Sequence, residues 1–191
     1  MALTVYSSSE AYRGGPCVLT IGNFDGVHLG HHALIQKNLQ TAQSLGLDSL
    51  IYTFEPHPRR VLQPEKHPPR IMSLEDKLHW LEEAGISQVV VESFDRTFSE
   101  HPAAWFAQEI IARRLQTKSI VVGHDFRFGR GREGTAEGLR SFLPKTPVEG
   151  LAAVRLGEAI VSSSKIRENV ASGEVETASR MLGRPYYVRG T

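Results

Sequence analysis

The chain has 191 residues, 40% of them apolar and 23% charged, and a formal net charge of +1. That describes one folded domain, or one and a small fraction, with enough apolar material to bury a sizeable core. The charge balance gives no electrostatic case for a nucleic-acid or membrane partner, no apolar run approaches the roughly 18–20 residues of a membrane span, and the lone Cys17 excludes an intrachain disulfide and a cysteine-cluster zinc site.

Met1 to Ser9 carry neither a basic segment nor an apolar one of the kind that opens a secretory signal, so the expected compartment is the cytoplasm. The apolar run Cys17–Gly22 reads as a buried strand, and a helical stretch follows over His31–Leu45. Between them residues 22–32 read Gly-Asn-Phe-Asp-Gly-Val-His-Leu-Gly-His-His. Gly22, Gly26 and Gly30 allow a tight turn and close approach of a ligand. The first N–H groups of a helix are unpaired and its dipole end is positive, so a strand-to-helix junction of this kind suits phosphate. His28 and His31, three residues apart in that junction, can donate hydrogen bonds to phosphate oxygens. The spacing matches neither a P-loop nor the Gly-x-Gly-x-x-Gly dinucleotide fingerprint.

Gly46 sits where glycine closes a last helical turn, and Ser49–Phe54 is the next strand candidate. Glu55–Arg70 holds Pro56, Pro58, Pro64, Pro68 and Pro69 and reads as a long loop, a lid or a binding element. Leu74, Leu78 and Leu81 line one face of a helix expected over Leu74–Ala84, with Ser73 as its N-cap and Gly85 just beyond its end. The remaining candidates are strands Gln88–Val91, Ser119–Gly123 and Ala152–Leu156, and helices Ala103–Leu115, Ala136–Phe142 and Lys165–Ala171. Strands alternating with helices imply an α/β fold, a doubly wound parallel sheet with helices on both faces. Ligands of such sheets bind beyond the carboxyl ends of the strands. Residues 22–32, 53–58, 122–129 and 161–167 all fall at or just after strand ends, so folding can gather them on one rim.

Within Gly123–Gly129, Asp125 can accept from a hydroxyl or an amine, and Phe126 or Phe128 can stack on a flat ring. The competing reading makes one of these phenylalanines core and leaves Arg127 exposed. Arg130 and Arg132 read as a solvated turn. Ser162, Ser163 and Ser164 open a helix with hydroxyls and N–H groups that favour anions, and Arg167 offers a bidentate phosphate contact. Taken alone, those serines also fit an ordinary N-cap, and Asp25 an ordinary turn residue.

His28-Leu29-Gly30-His31 resembles the His-x-Gly-His signature of the nucleotidyltransferase superfamily that includes class I aminoacyl-tRNA synthetases. The longer string from Gly22 to His31 closely resembles the bacterial FAD synthetases, which join an FMN adenylyltransferase module to a riboflavin kinase module. Thr53-Phe54-Glu55-Pro56-His57-Pro58, Val122-Gly123-His124-Asp125-Phe126-Arg127-Phe128-Gly129 and Val161-Ser162-Ser163-Ser164-Lys165-Ile166-Arg167 match the same family in the same order. In the last, Val161 and Ser164 stand where the family carries Ile and Thr, and Lys165 occupies a variable position.

The resemblance implies a Rossmann-like fold and transfer of AMP from ATP to FMN, giving FAD and pyrophosphate with no covalent enzyme intermediate. It implies His28, His31 and Arg167 as catalytic residues. ATP would contact Gly22, Asn23, Phe24, Asp25, Gly26, Gly30, Gly123, Asp125, Ser162, Ser163 and Ser164. Flavin would contact Phe54, Pro56, His57, Pro58, Phe126 and Phe128. Mg²⁺ is expected on the triphosphate, with Asp25 one candidate ligand. Residues 1–185 would form the adenylyltransferase domain. The tail 186–191 falls where the first strand of the kinase module begins, so the kinase half would lie in a parent chain or a separate protein. Transfer to another phosphorylated acceptor and a non-catalytic flavin- or nucleotide-binding role are the alternatives.

Overall fold

Six strands make one sheet: β1 (Thr4–Tyr6), β2 (Cys17–Ile21), β3 (Asp48–Glu55), β4 (Gln88–Ser93), β5 (Ser119–Gly123) and β6 (Val148–Leu151). Their spatial order is β1-β4-β3-β2-β5-β6, and every neighbouring pair is parallel. The computed structural model describes residues 2–189; Met1, and Gly190 and Thr191 of the 186–191 tail, lie outside the described residues. β3 and β4 lie on one side of β2 and β5 and β6 on the other, so the direction of winding reverses at β2. Open parallel sheets bind ligands at such a reversal, beyond the strand ends.

The helices are α1 (Leu29–Leu45), α2 (Pro58–Leu62), α3 (Leu74–Glu83), α4 (Arg96–Ser99), α5 (Ala103–Trp105), α6 (Ala136–Phe142), α7 (Ser163–Ala171) and α8 (Val175–Leu182). Alternation along β2 splits the core in two. Cys17, Leu19 and Ile21 pack with Phe106, Ile110, Ile111 and Leu139 on one face. Val18 packs with Ala42 of α1 on the other, where Ile51 and Val89 meet Ile35 and Leu81. All five residues of β2 are buried, as expected of a strand covered on both faces. Asn38 of α1 donates to the Val18 carbonyl (3.0 Å) and to Thr20 Oγ1 (2.8 Å), which fixes α1 against β2. A third cluster joins Ile71 to α7 and α8 through Ile166, Ala178, Met181 and Leu182.

Several expected elements shift. The last strand is Val148–Leu151 rather than Ala152–Leu156, whose second half instead begins a small antiparallel hairpin, β7 (Arg155–Leu156) with β8 (Ala159–Ile160). The proline-rich stretch is not all loop, because Pro58 takes the first position of α2, where its missing N–H would be unpaired in any case. The helix expected over Ala103–Leu115 starts as α5 and runs on as a π-helix, Phe106–Arg114, which still buries Phe106, Ala107, Ile110 and Ile111. Strand β1 and helices α4 and α8 are additions to the sequence reading.

Candidate active site

The turn between β2 and α1 is built on a fixed backbone. Phe24 and Val27 have φ of +50° and +37°, sparsely populated for residues with a Cβ, and both side chains are fully buried. Gly26, at φ +92°, packs against Ile71 and Leu182. Buried anchors on either side of Asp25 thus hold the turn in a conformation it would otherwise leave.

His28 is the N-cap of α1, and its partnership with His31 is reciprocal. His31 N–H donates to His28 Nδ1 and His28 N–H donates to His31 Nδ1, each at 3.3 Å. This is a capping box made of two histidines. The rings stack with centroids 3.7 Å apart, and Phe24 lies 4.9 Å from the His31 ring. A Cβ on Gly30 would come within 3.0 Å of His28 Cε1, so the absence of a side chain there leaves room for the ring. Burial pushes the His28 pKa down to about 4 and holds His31 well below its ordinary value. Both are therefore neutral at neutral pH. With each Nδ1 accepting from a backbone N–H, the ring proton sits on Nε2, which is left as the donor of each ring.

The other segments converge on this turn. Thr53 Oγ1, near the end of β3, donates to the Asn23 carbonyl (3.2 Å), and Gly22 N–H donates to the Tyr52 carbonyl (3.1 Å). Ser163 Oγ donates to the Asp25 carbonyl (2.8 Å) from the start of α7. Arg167 donates to the Asp25 carboxylate in a buried ion pair, and its Nε donates to the Pro69 carbonyl (2.8 Å). Ile71 N–H donates to Asp25 Oδ1 (3.1 Å). Asp125 lies two residues beyond β5, and its charge is the smallest of the influences on the His28 pKa, which burial dominates.

Several expected site residues take on structural work. The Phe24 ring belongs to the core, and so does Phe128, stacked on Phe126 at 5.4 Å and packed near Phe106. Phe126 is only half-buried, and Arg127 and Asp125 are exposed. Phe54 sits edge-on to Tyr52, Phe94 and Phe98. His57 is half-buried, follows the cis Glu55–Pro56 bond and caps α2 by accepting from Arg59 N–H (3.1 Å); burial pushes its pKa down to about 4. Ser162 accepts from Lys165 N–H as the N-cap of α7, Ser164 is exposed, and Lys165 pairs with Glu168 at the surface.

Asp25, the candidate Mg²⁺ ligand, has its carboxylate engaged by Arg167 and the Ile71 N–H. Arg167 has two of its five N–H donors engaged, with Pro69 and Asp25.

The sequence reading missed two cations. Lys77 of α3 is 5% exposed, and its Nζ donates to Thr53 Oγ1 (3.4 Å). A signal was present, since Lys77 completes the i, i+3, i+4, i+7 stripe formed by Leu74, Leu78 and Leu81. Arg184 donates to the carbonyls of Gly26 (2.6 Å) and Val27 (3.0 Å) and lies over the Trp80 ring at 4.3 Å. Nothing local in the sequence marks it.

A parallel α/β sheet with a histidine-capped helix at its point of reversal defines the class: an open-sheet, Rossmann-like α/β domain. A family model described as FAD synthetase matches residues 11–165, and the chain belongs to that family. A Haemophilus influenzae bifunctional riboflavin kinase/FMN adenylyltransferase is 38% identical over 188 residues, covering 97% of this chain and 60% of the relative. The protein of the same description from Escherichia coli K12 is 35% identical over 191 residues, again covering 60% of its length. The chain therefore spans about three fifths of these relatives. A Geobacillus thermodenitrificans protein, described as a putative enzyme of this kind, is 36% identical over 183 residues and covered over 98% of its length. A solved Streptococcus pneumoniae structure, described as a macrolide-efflux protein, superposes with a TM-score of 0.87 at 25% identity, over 99% of this chain and 66% of that one.

Proposed function

We propose that this chain transfers AMP from ATP to FMN, producing FAD and pyrophosphate. The observation that carries the reading is the reciprocal histidine cap, which leaves two neutral rings presenting Nε2–H donors at a helix N-terminus. The nucleophile is already an anionic phosphate oxygen, so no side chain is needed to attack. That oxygen bonds to the α-phosphorus as the bond to the β-phosphate's bridging oxygen breaks, and pyrophosphate leaves. Such transfers rest on alignment and on stabilising phosphate charge.

His28 and His31 donate to phosphate oxygens as charge grows there. The backbone of Gly22, Asn23, Gly26, Gly30 and Gly123, Asp125, and the serines at the start of α7 receive the rest of ATP. Arg167 holds Asp25 and the turn in place and keeps its remaining N–H groups for the triphosphate. Flavin enters between the Pro56-His57-Pro58 segment and Phe126. Mg²⁺ arrives with the nucleotide as MgATP, held by phosphate oxygens and water. The enzyme works in the cytoplasm on small molecules. A riboflavin kinase module, in the same parent chain or separate, supplies its FMN, and residues 1–185 constitute the adenylyltransferase unit.

The test is incubation of the purified chain with ATP, Mg²⁺ and FMN, followed by chromatography. FAD and stoichiometric pyrophosphate are expected. ATP consumption without FAD, or no ATP consumption at all, would overturn the reading.

A further inference from the structure

Lys77 is a buried ammonium with no carboxylate partner among the described residues. Asp25 and Glu55 are the acidic groups whose charge reaches it, and both are paired elsewhere, Asp25 with Arg167 and Glu55 with Arg70 at 2.5 Å. Among the described residues its one hydrogen bond is the long contact to Thr53, whose hydroxyl already serves the Asn23 carbonyl. An unpaired buried ammonium is strongly unfavourable for folding alone, and burial duly pushes the Lys77 pKa below the usual lysine range. Uncompensated charges of this kind concentrate where a ligand completes the site.

Its position says which ligand. Lys77 reaches from α3 to Thr53 near the end of β3, and its charge bears on both His31 and His57, the first in the turn read as the nucleotide side and the second in the segment read as the flavin side. Two phosphates must meet between those histidines, and they repel each other. The rings there are neutral, Arg167 and Arg70 are each paired with a carboxylate, and Arg184 is bound to two carbonyls. Arg59, whose charge also reaches His57, is exposed to water, so Lys77 is the buried cation at that point without a carboxylate partner among the described residues.

We infer that the Lys77 ammonium receives the phosphate monoester of the acceptor, holding its oxygen between the histidine turn and the Thr53–Pro58 segment. This rests on the reading of FMN as acceptor. It adds that the protein recognises FMN over riboflavin through one buried charge.

The test titrates FMN and riboflavin by flavin fluorescence, and MgATP by calorimetry, against the unaltered chain, Lys77→Met and Lys77→Gln. The FMN dissociation constant should rise roughly 10- to 100-fold in both variants, the range of a charged hydrogen bond. Riboflavin and MgATP affinities should hold within about twofold, and Lys77→Met should melt no lower than the unaltered chain, because an apolar side chain replaces an unpaired charge. Equal weakening of FMN and riboflavin, weakening of MgATP instead of FMN, or lower melting with FMN preference intact would each overturn the assignment. An unaltered chain that binds no FMN overturns both the assignment and the functional reading. One that prefers FMN to riboflavin yet forms no FAD overturns the activity alone and leaves Lys77 supported if the variants lose that preference.

Discussion

Replacing Asp25 with asparagine removes one charge of the ion pair that joins the histidine turn to α7. The side chains of Asp25 and Arg167 are 6% and 13% exposed, so water screens neither. Losing one partner of a buried pair costs about 3–5 kcal/mol, because the other charge stays buried and unmatched. Asparagine can still accept from the Ile71 N–H, which places the expectation at the low end, about 3 kcal/mol. For a chain of this size that is a fall in melting temperature of about 6–12 °C. The measurement is thermal unfolding by circular dichroism with EDTA and no nucleotide. In the double variant Asp25→Asn/Arg167→Met, which leaves no stranded charge, at least half of the loss should return. Melting of Asp25→Asn within about 2 °C of the unaltered protein would refute the argument. A loss seen only when Mg²⁺ is present would return Asp25 to the role of metal ligand.

Acid should weaken the fold between about pH 6.5 and 4. The His28 pKa is about 4 in the folded chain against an ordinary 6.5, so the unfolded chain binds the proton first. Stability is full above the unfolded value and falls with pH, by about 3 kcal/mol for His28 at 1.36 kcal/mol per unit, with His31 and His57 shifting the same way. A flat melting temperature across that window would contradict it. His28→Ala and His31→Ala should each slow FAD formation by roughly 2–4 kcal/mol of barrier while FMN binding changes little; near-normal turnover in either would sink the donor role. Gly30→Ala would set a Cβ 3.0 Å from the His28 ring while improving helix propensity. Turnover should fall about tenfold or more with melting unchanged or raised, and unimpaired turnover would mean ring placement does not matter.

The sheet was legible because buried parallel strands are short apolar runs, and Cys17–Ile21 and Ser119–Gly123 need no context to be recognised. Val148–Leu151 was hidden because two of its four residues are exposed at the sheet edge, leaving little apolar signal. Helix α2 was missed by treating proline as a breaker, when at the first helical position it is an initiator. The four segments of the site were legible as residues, but their division of labour was not. Asp25 and Arg167 are separated by 142 positions, and only the fold shows that they are engaged with each other. Phe126 and Phe128 are equivalent in a string of letters, whereas packing puts one at the rim and the other under it. Lys77 is a charge on an apolar stripe, and a stripe's spacing marks which face is buried but not what a buried charge on it would meet.

The histidine turn has a consequence for anyone wishing to reuse it. Its two rings hold their places because Phe24 and Val27 are locked at positive φ, because residue 30 has no side chain, and because Arg184, 158 and 157 positions from the carbonyls of Gly26 and Val27, grips both. Grafted onto another helix as four letters, His-Leu-Gly-His would carry none of these. The portable unit is the whole corner of the molecule, drawn from both ends of the chain, and a designer who copies only the signature copies its spelling without its geometry.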